Sequence, residues 1–192
     1  MISLKTKNKL ISIGIDVGTV NGAISVVSEE GEILLLTKAP TYQTEIKSKR
    51  NKSKLNKESG KFEADYKKRN WVDFKSLREL LKPWVGFPII YTIERIQQRP
   101  NEGETSSFVN GNSLGIFQGL YSYLNPMAYF EPSAGEWKKE IGVTSLKDTS
   151  IKLAEEIYNI KLKDYLSKGK VDDIAEALLL SFYGFKKYYE NK

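Results

Sequence analysis

The sequence predicts an α/β fold: a mixed five-stranded sheet flanked by helices. Three observations predict it. Three apolar runs with short connections open the chain, LISIGID at 10–16, GAISVVS at 22–28 and EILLLTK at 32–38. Two later apolar runs, PIIYTIE at 88–94 and MAYFE at 127–131, each follow a helical stretch. Further helical periodicity closes the chain. Strands joined by tight turns form an antiparallel meander, and the order βββ-α-β-α-β-α completes a mixed sheet with helices against it.

Each element has its own signal. In 10–16, Ile11, Ile13 and Ile15 share one face, and Ser12, Gly14 and Asp16 share the other. The turn-like Glu29–Glu30–Gly31 separates the second and third runs. Residues 42–70 follow, poorly periodic and rich in Lys, Asn and Ser, and read as a mobile loop or a long hairpin. Residues 73–82 read as a helix, with Asp73 as its cap and Pro83 as its stop. The strand at 88–94 ends in Glu94, and residues 95–111 read as a polar loop.

Residues 112–124 read as a helix with Leu114, Phe117, Leu120 and Leu124 on one face. Phe117, Leu120, Tyr121 and Leu124 are more apolar than one buried face requires, so this helix is also a candidate dimer interface. Gly115 and Gly119 allow close packing on the sheet or on a partner helix. Helices at 133–140, 147–160 and 172–189 complete the chain. No repeat or linker divides the 192 residues, which read as one domain, 1–192, carrying a basic insertion at about 42–70.

Composition narrows the chemistry. The chain has neither cysteine nor histidine. Disulfides and thiolate metal sites are excluded, together with the commonest general base. A metal site must then use oxygen ligands, which suit Mg²⁺, Mn²⁺ or Ca²⁺. No apolar stretch reaches the roughly 20 residues of a membrane span, and the basic-then-apolar N-terminus reads as a strand rather than a signal peptide. A cytoplasmic location is expected.

The net charge is +6, and residues 42–70 account for all of it, with ten basic residues against four acids. A concentrated basic segment in a balanced protein is the footprint of a polyanion partner, though a solvated lysine-rich loop has the same composition. Its candidate DNA contacts are Lys47, Lys49, Arg50, Lys52, Lys54, Lys67, Lys68 and Arg69, joined by Arg95 and Arg99 beyond Glu94.

The acids carry the chemical signal. Asp16 and Glu94 are single acids, each closing an apolar run. The last helix opens as KVDDIAEALLLSFYG, where Glu176 lies three residues from Asp173 and four from Asp172, so either can share its face. Val171, Ile174, Leu178 and Phe182 mark the buried side. Taken singly, Asp16 is a turn residue, Glu94 a surface acid, and Asp172 with Asp173 a helix cap. Taken together, converging carboxylates repel one another unless cations relieve them. Two Mg²⁺ ions roughly 3.5–4 Å apart are the usual arrangement in nucleases and polymerases.

The ordered set GIDVGT, YTIERI, NSLGIFQGL, YFEPSAGEWKKEIGV and DDIAEALLLS resembles the RuvC-type Holliday junction resolvases of the ribonuclease H-like superfamily. The resemblance covers nearly the whole chain apart from the basic segment, and it lies in the order and spacing of the motifs rather than in any one of them. It implies a ribonuclease H-like sheet with the first and fourth strands side by side. It also implies catalytic Asp16, Glu94, Asp173 and Glu176, with Asp172 as the other candidate ligand in the final motif. The implied cofactor is a pair of Mg²⁺ ions, for which Mn²⁺ can substitute. Lys138, Lys139 and Lys147 fall where such enzymes place positive charge near the cleaved strand. The implied activity is paired nicking of a four-way DNA junction by a homodimer.

Two features depart from the bacterial pattern. Gln97 stands where many bacterial members carry an aromatic residue thought to insert at the junction centre. The basic segment is more like the virus-encoded branch, which would act in a host cell. Three other readings stand beside this one. A related nuclease acting on RNA or on flap and general branched DNA would use the same site. A non-catalytic DNA-binding module would not need the acids. GIDVGT also resembles the first phosphate loop of actin-type and sugar-kinase-type enzymes, but those need a second domain and about twice this length.

Overall fold

The computed structural model describes residues 9–18, 22–47, 54–55, 62–63, 66–96, 103–144, 148–166 and 171–192. Its centre is a five-stranded sheet built from β1 (Ile11–Asp16), β2 (Ala23–Ser28), β3 (Ile33–Lys38), β8 (Ile89–Ile93) and β9 (Ala128–Phe130). The strand order is β3-β2-β1-β8-β9. β1, β2 and β3 pair antiparallel, whereas β8 runs parallel to both β1 and β9. The first and fourth strands of this sheet are therefore neighbours, with Ile15 opposite Ile93.

Alternation along the strands divides the core in two. Ile11, Ile13 and Ile15 of β1 and Ile24 and Val26 of β2 pack under helices α1 (Phe74–Leu81) and α2 (Glu104–Leu124). Ala23 and Val27 face the other way, toward α3 (Ala134–Ile141), α4 (Asp148–Tyr158) and α5 (Asp172–Glu190). Ser12, Gly14 and Asp16 share that second face. Gly14 is needed there because a Cβ would collide with the Ala177 carbonyl oxygen and the Ser181 backbone. Ser25, opposite Gly14, donates to the same Ala177 carbonyl at 2.8 Å. This close approach fixes α5 against β1 and sets where its first turn lies.

The helix boundaries have identifiable causes. The Asp73 side chain accepts from the Ser76 N–H at 3.1 Å and caps α1. Pro83 lies in a short 3₁₀ turn that follows α1 directly. Ser133 and Glu136 form a reciprocal capping box on α3, and Gly142 ends that helix in the left-handed region. α5 is buried almost all round from Ile174 to Leu180, because it lies between the sheet and α4.

The basic segment contains a hairpin. β4 (Thr41–Lys47) pairs antiparallel with β7 (Tyr66–Val72), and between them β5 (Lys54–Leu55) pairs with β6 (Phe62–Glu63). Of its candidate contacts, Lys49, Arg50 and Lys52 lie outside the described residues, as do Arg99 and Lys147.

Three readings of the 95–124 region are corrected. Helix α2 starts at Glu104, so the polar stretch 104–111 is helical, not loop. Its Ser, Asn and Gly residues are weak helix formers, and burial of Val109 and Ser113 overrides that preference. Phe117, Leu120 and Leu124 are all buried within this chain and leave no apolar surplus for an interface. Tyr121 alone of that group is exposed, set edge-on to Tyr129 at 5.2 Å. Gly115 and Gly119 face away from the sheet: a methyl group added at either would meet no atom within 4 Å, so they do not serve packing against it. Phe182 of α5 is half-buried rather than part of the deep core. No helix among the described residues is long and apolar enough to cross a membrane.

Candidate active site

Three carboxylates meet at one end of the sheet. Asp16 closes β1, Glu94 follows β8 and Glu176 projects from the second turn of α5. One oxygen from each lies within 4.8 Å of the other two. The backbone builds this directly. The Glu94 N–H donates to the Ile15 carbonyl at 3.1 Å, which holds the two strand ends level. The contact at Gly14 brings α5 down over them. Burial, then the charges of Glu94, Glu176 and Asp173, push the Asp16 carboxyl well above the usual carboxylate range.

The remaining acids are placed differently. Asp173 lies in the first turn of α5, near enough to raise Asp16, and its carboxylate is ion-paired with Lys38. Asp172 occupies the preceding position, and neither it nor Asp173 joins the group of three carboxylates. Neither is the cap residue, which is Val171. Both sit where the helix N-terminus favours negative charge.

Cations border the site. The Lys138 ammonium pairs with Glu176 at 2.6 Å and lies 5.1 Å from the centroid of the Trp137 ring. Lys139 is exposed beside it on α3. Arg95 pairs with Glu136 at 3.1 Å and so reaches the α3 cap rather than the acids. Lys67, Lys68 and Arg69 stand on β7, and Lys47 and Lys54 belong to β4 and β5, on the ribbon beyond the site.

Two residues escape a reading of the sequence. Trp137 is fully buried and donates its indole N–H to Glu94 at 2.8 Å. Lys38 ends β3, where the register runs Asp16–Ala23–Lys38 across three strands. A lysine closing the third apolar run is the available signal, but only the pairing shows that it stands level with Asp16.

The donor set consists of hard oxygens, with no nitrogen or sulfur ligand, and it fits Mg²⁺ or Mn²⁺. Asp16, Glu94 and Glu176 can hold such an ion; Asp173 acts on Asp16 through its charge and is not one of the three that meet.

Comparison with known proteins gives a consistent picture of the fold. No model of a protein family matches the chain, and no curated protein does. Among solved structures, T. thermophilus RuvC in complex with Holliday junction substrate is similar, with a TM-score of 0.56 and 13% identity over 95% of this chain and 96% of that one. A Thermus thermophilus RuvC structure matches with a TM-score of 0.51 and 14% identity, over 94% and 96% of the two chains. The fold is RuvC-like. It is a ribonuclease H-like mixed sheet with helices on both faces, as the resemblance implied.

Proposed function

We propose that this chain is a metal-dependent endonuclease that hydrolyses phosphodiesters in branched DNA, with the Holliday junction as its substrate. The observation that carries the reading is the convergence of Asp16, Glu94 and Glu176 at one end of a RuvC-like sheet. The similar T. thermophilus RuvC was solved with Holliday junction substrate, which supports branched DNA as the partner.

Asp16 is the central ligand, set between Glu94 on one side and the α5 acids on the other. Glu94 is aimed by the Trp137 indole, and Glu176 by Lys138. Asp173, held by Lys38, completes the set, with Asp172 as the less favoured alternative. Mg²⁺ is the expected ion and Mn²⁺ a substitute. The chemistry such ions supply is activation of a water and stabilisation of the leaving oxygen. Lys138 and Lys139 lie where the cleaved strand approaches, and the ribbon lysines and Arg69 contact phosphates farther along. These contacts set position and affinity rather than sequence preference.

A four-way junction has two symmetry-related strands to cut, and one site cuts one at a time. A two-fold homodimer is the simplest way to pair the cuts. The lysine-rich ribbon before α1 favours the virus-encoded branch, acting in the cytoplasm of a host cell, and the chain acts as one domain.

The test is a cleavage assay on four-way junction, flap, duplex and RNA–DNA hybrid substrates, with Mg²⁺, with Mn²⁺ and with EDTA. Paired, symmetric nicks in the junction, absent in EDTA, support the reading. Preference for flaps or hybrid would move it to the related nuclease reading, and Gln97 at the position of the bacterial aromatic is the feature that keeps that alternative open. Binding without cleavage under every condition would leave a non-catalytic module.

A further inference from the structure

The root of the basic ribbon carries a cluster of exposed aromatic rings that the acidic site does not use. In the β4–β7 ladder, Tyr42 lies opposite Trp71, Thr44 opposite Arg69 and Ile46 opposite Lys67. Direct partners and every second residue share a face. One face of the ribbon therefore presents Tyr42, Trp71, Arg69 and Lys67 together. Phe108, from the second turn of α2, meets Trp71 edge-on at a centroid distance of 6.3 Å. The Arg69 guanidinium lies 5.9 Å from the Trp71 ring centroid. The indole N–H of Trp71 donates to Thr44 at 2.8 Å, which locks the ring's orientation.

These rings are open to solvent: Phe108 is 64% exposed and Tyr42 50%. Trp71 is half-buried. Contiguous exposed aromatics on a stable fold mark a binding surface. The charge around them selects the partner. Lys67 and Arg69 lie on the same face, and the surrounding 42–70 segment carries +6. Aromatic rings interleaved with cations are how proteins hold unpaired nucleic acid, because every base offers a π-face and every nucleotide a phosphate.

The placement also suits the acidic site. β3 ends at Lys38, level with Asp16, and β4 begins three residues later, at Thr41. The ribbon thus springs from the end of the sheet that holds the carboxylates. α2 begins ten residues after Glu94, at the same end, and returns along the sheet to β9.

We propose that Trp71 and Phe108, with Tyr42 and Arg69, form a stacking platform for an unpaired DNA base, so that the chain holds a splayed nucleotide near the branch point. This rests on the branched-DNA reading for the source of the base, but not for the existence of the platform. It also gives the chain a base-holding surface elsewhere than position 97.

The test uses the full chain in EDTA, so that binding is measured without cleavage. Affinities of wild type, Phe108→Ala and Phe108→Trp are compared on oligothymidylate, on a four-way junction and on fully paired duplex. Phe108 is exposed, so its truncation leaves the core untouched. Phe108→Ala is expected to weaken oligothymidylate binding by between about 5-fold and about 150-fold, the range that one base–aromatic stack contributes. Junction binding should fall in the same direction, duplex binding should not change, and Phe108→Trp should restore both losses. Oligothymidylate should also quench tryptophan emission in wild type, and Trp71→Phe should remove that quenching, since Trp84 and Trp137 are buried.

The proposal is overturned if Phe108→Ala binds all three DNAs as wild type does, which would assign the patch to a protein partner. It is also overturned if the loss is equal on duplex, which would mean that Phe108 only braces the ribbon. Its failure is separable from that of the enzymatic reading. A chain that cleaves junctions but shows no Phe108 effect loses the platform alone. A chain that cleaves nothing, yet loses oligothymidylate affinity on Phe108→Ala, keeps it.

Discussion

The indole N–H of Trp137 donates to Oε2 of Glu94 at 2.8 Å, tying helix α3 to the strand end that carries a candidate metal ligand. The ring is fully buried, so the bond is shielded from water and fixes which way the carboxylate points. Trp137→Phe keeps an aromatic ring and removes the donor. Cleavage should fall roughly 10- to 100-fold, the usual cost of losing a group that orients a ligand. DNA affinity in EDTA should be unchanged. Single-turnover cleavage beside a binding titration checks both.

Lys38 stands in the same relation to Asp173, across the row that runs Asp16–Ala23–Lys38. Lys38→Met keeps most of the aliphatic stem and removes the charge that offsets a crowded acidic site. The metal-free protein should lose roughly 1 kcal/mol, which corresponds to about 2–4 °C in melting temperature for a chain of this size. Mn²⁺ should close most of that gap, because the ion replaces the lost positive charge. Thermal unfolding of both proteins in EDTA and in Mn²⁺ measures it.

How far the sequence discloses this site depends on the range of the interactions that build it. Asp16 and Glu94 are legible because each closes a short apolar run whose period places it at a strand end. Glu176 is legible from helical spacing, yet the same spacing lets either Asp172 or Asp173 share its face, and the three carboxylates that meet include neither. Lys38 and Trp137 are invisible as site residues because their partners lie 135 and 43 residues away. The β4–β7 ribbon is legible only as one of two readings, a mobile loop or a long hairpin, because its charges break the apolar alternation that marks a buried strand. The first turns of α2 are hidden by Ser, Asn and Gly, and Phe117, Leu120 and Leu124 of that helix are spent on the core.

The raised Asp16 carboxyl makes a pH prediction with a definite sign. The folded protein holds this proton to higher pH than the unfolded chain, whose Asp titrates near 3.8. The folded state therefore binds more protons in the window above 3.8, and stability falls as pH rises through it. Asp16→Asn removes that dependence. In EDTA, the melting temperature of Asp16→Asn should exceed that of wild type by a margin that grows as pH rises from about 4. Carboxyls held low elsewhere, such as Asp73 and Glu136, act equally in both proteins and cancel in the difference. Mg²⁺ should raise the wild-type melting temperature more than that of the variant.

Lys67 and Lys68 point to opposite faces of the ribbon, and both are exposed. Each phosphate contact contributes about −0.9 to the slope of log affinity against log salt on duplex DNA. Replacing both by Gln should flatten the slope by about 2 if both meet phosphates. The single variants show which face does so. An unchanged slope in the double variant would return the ribbon to a solvated surface.

The account rests on Asp16 as a ligand for chemistry and not for DNA binding. The most direct measurement compares wild type and Asp16→Asn on one four-way junction, with cleavage followed in Mg²⁺ and affinity in EDTA. The variant should bind the junction at least as tightly as wild type and show no cleavage. A variant that cleaves at the wild-type rate, or a wild type that cleaves equally well in EDTA, would contradict the account.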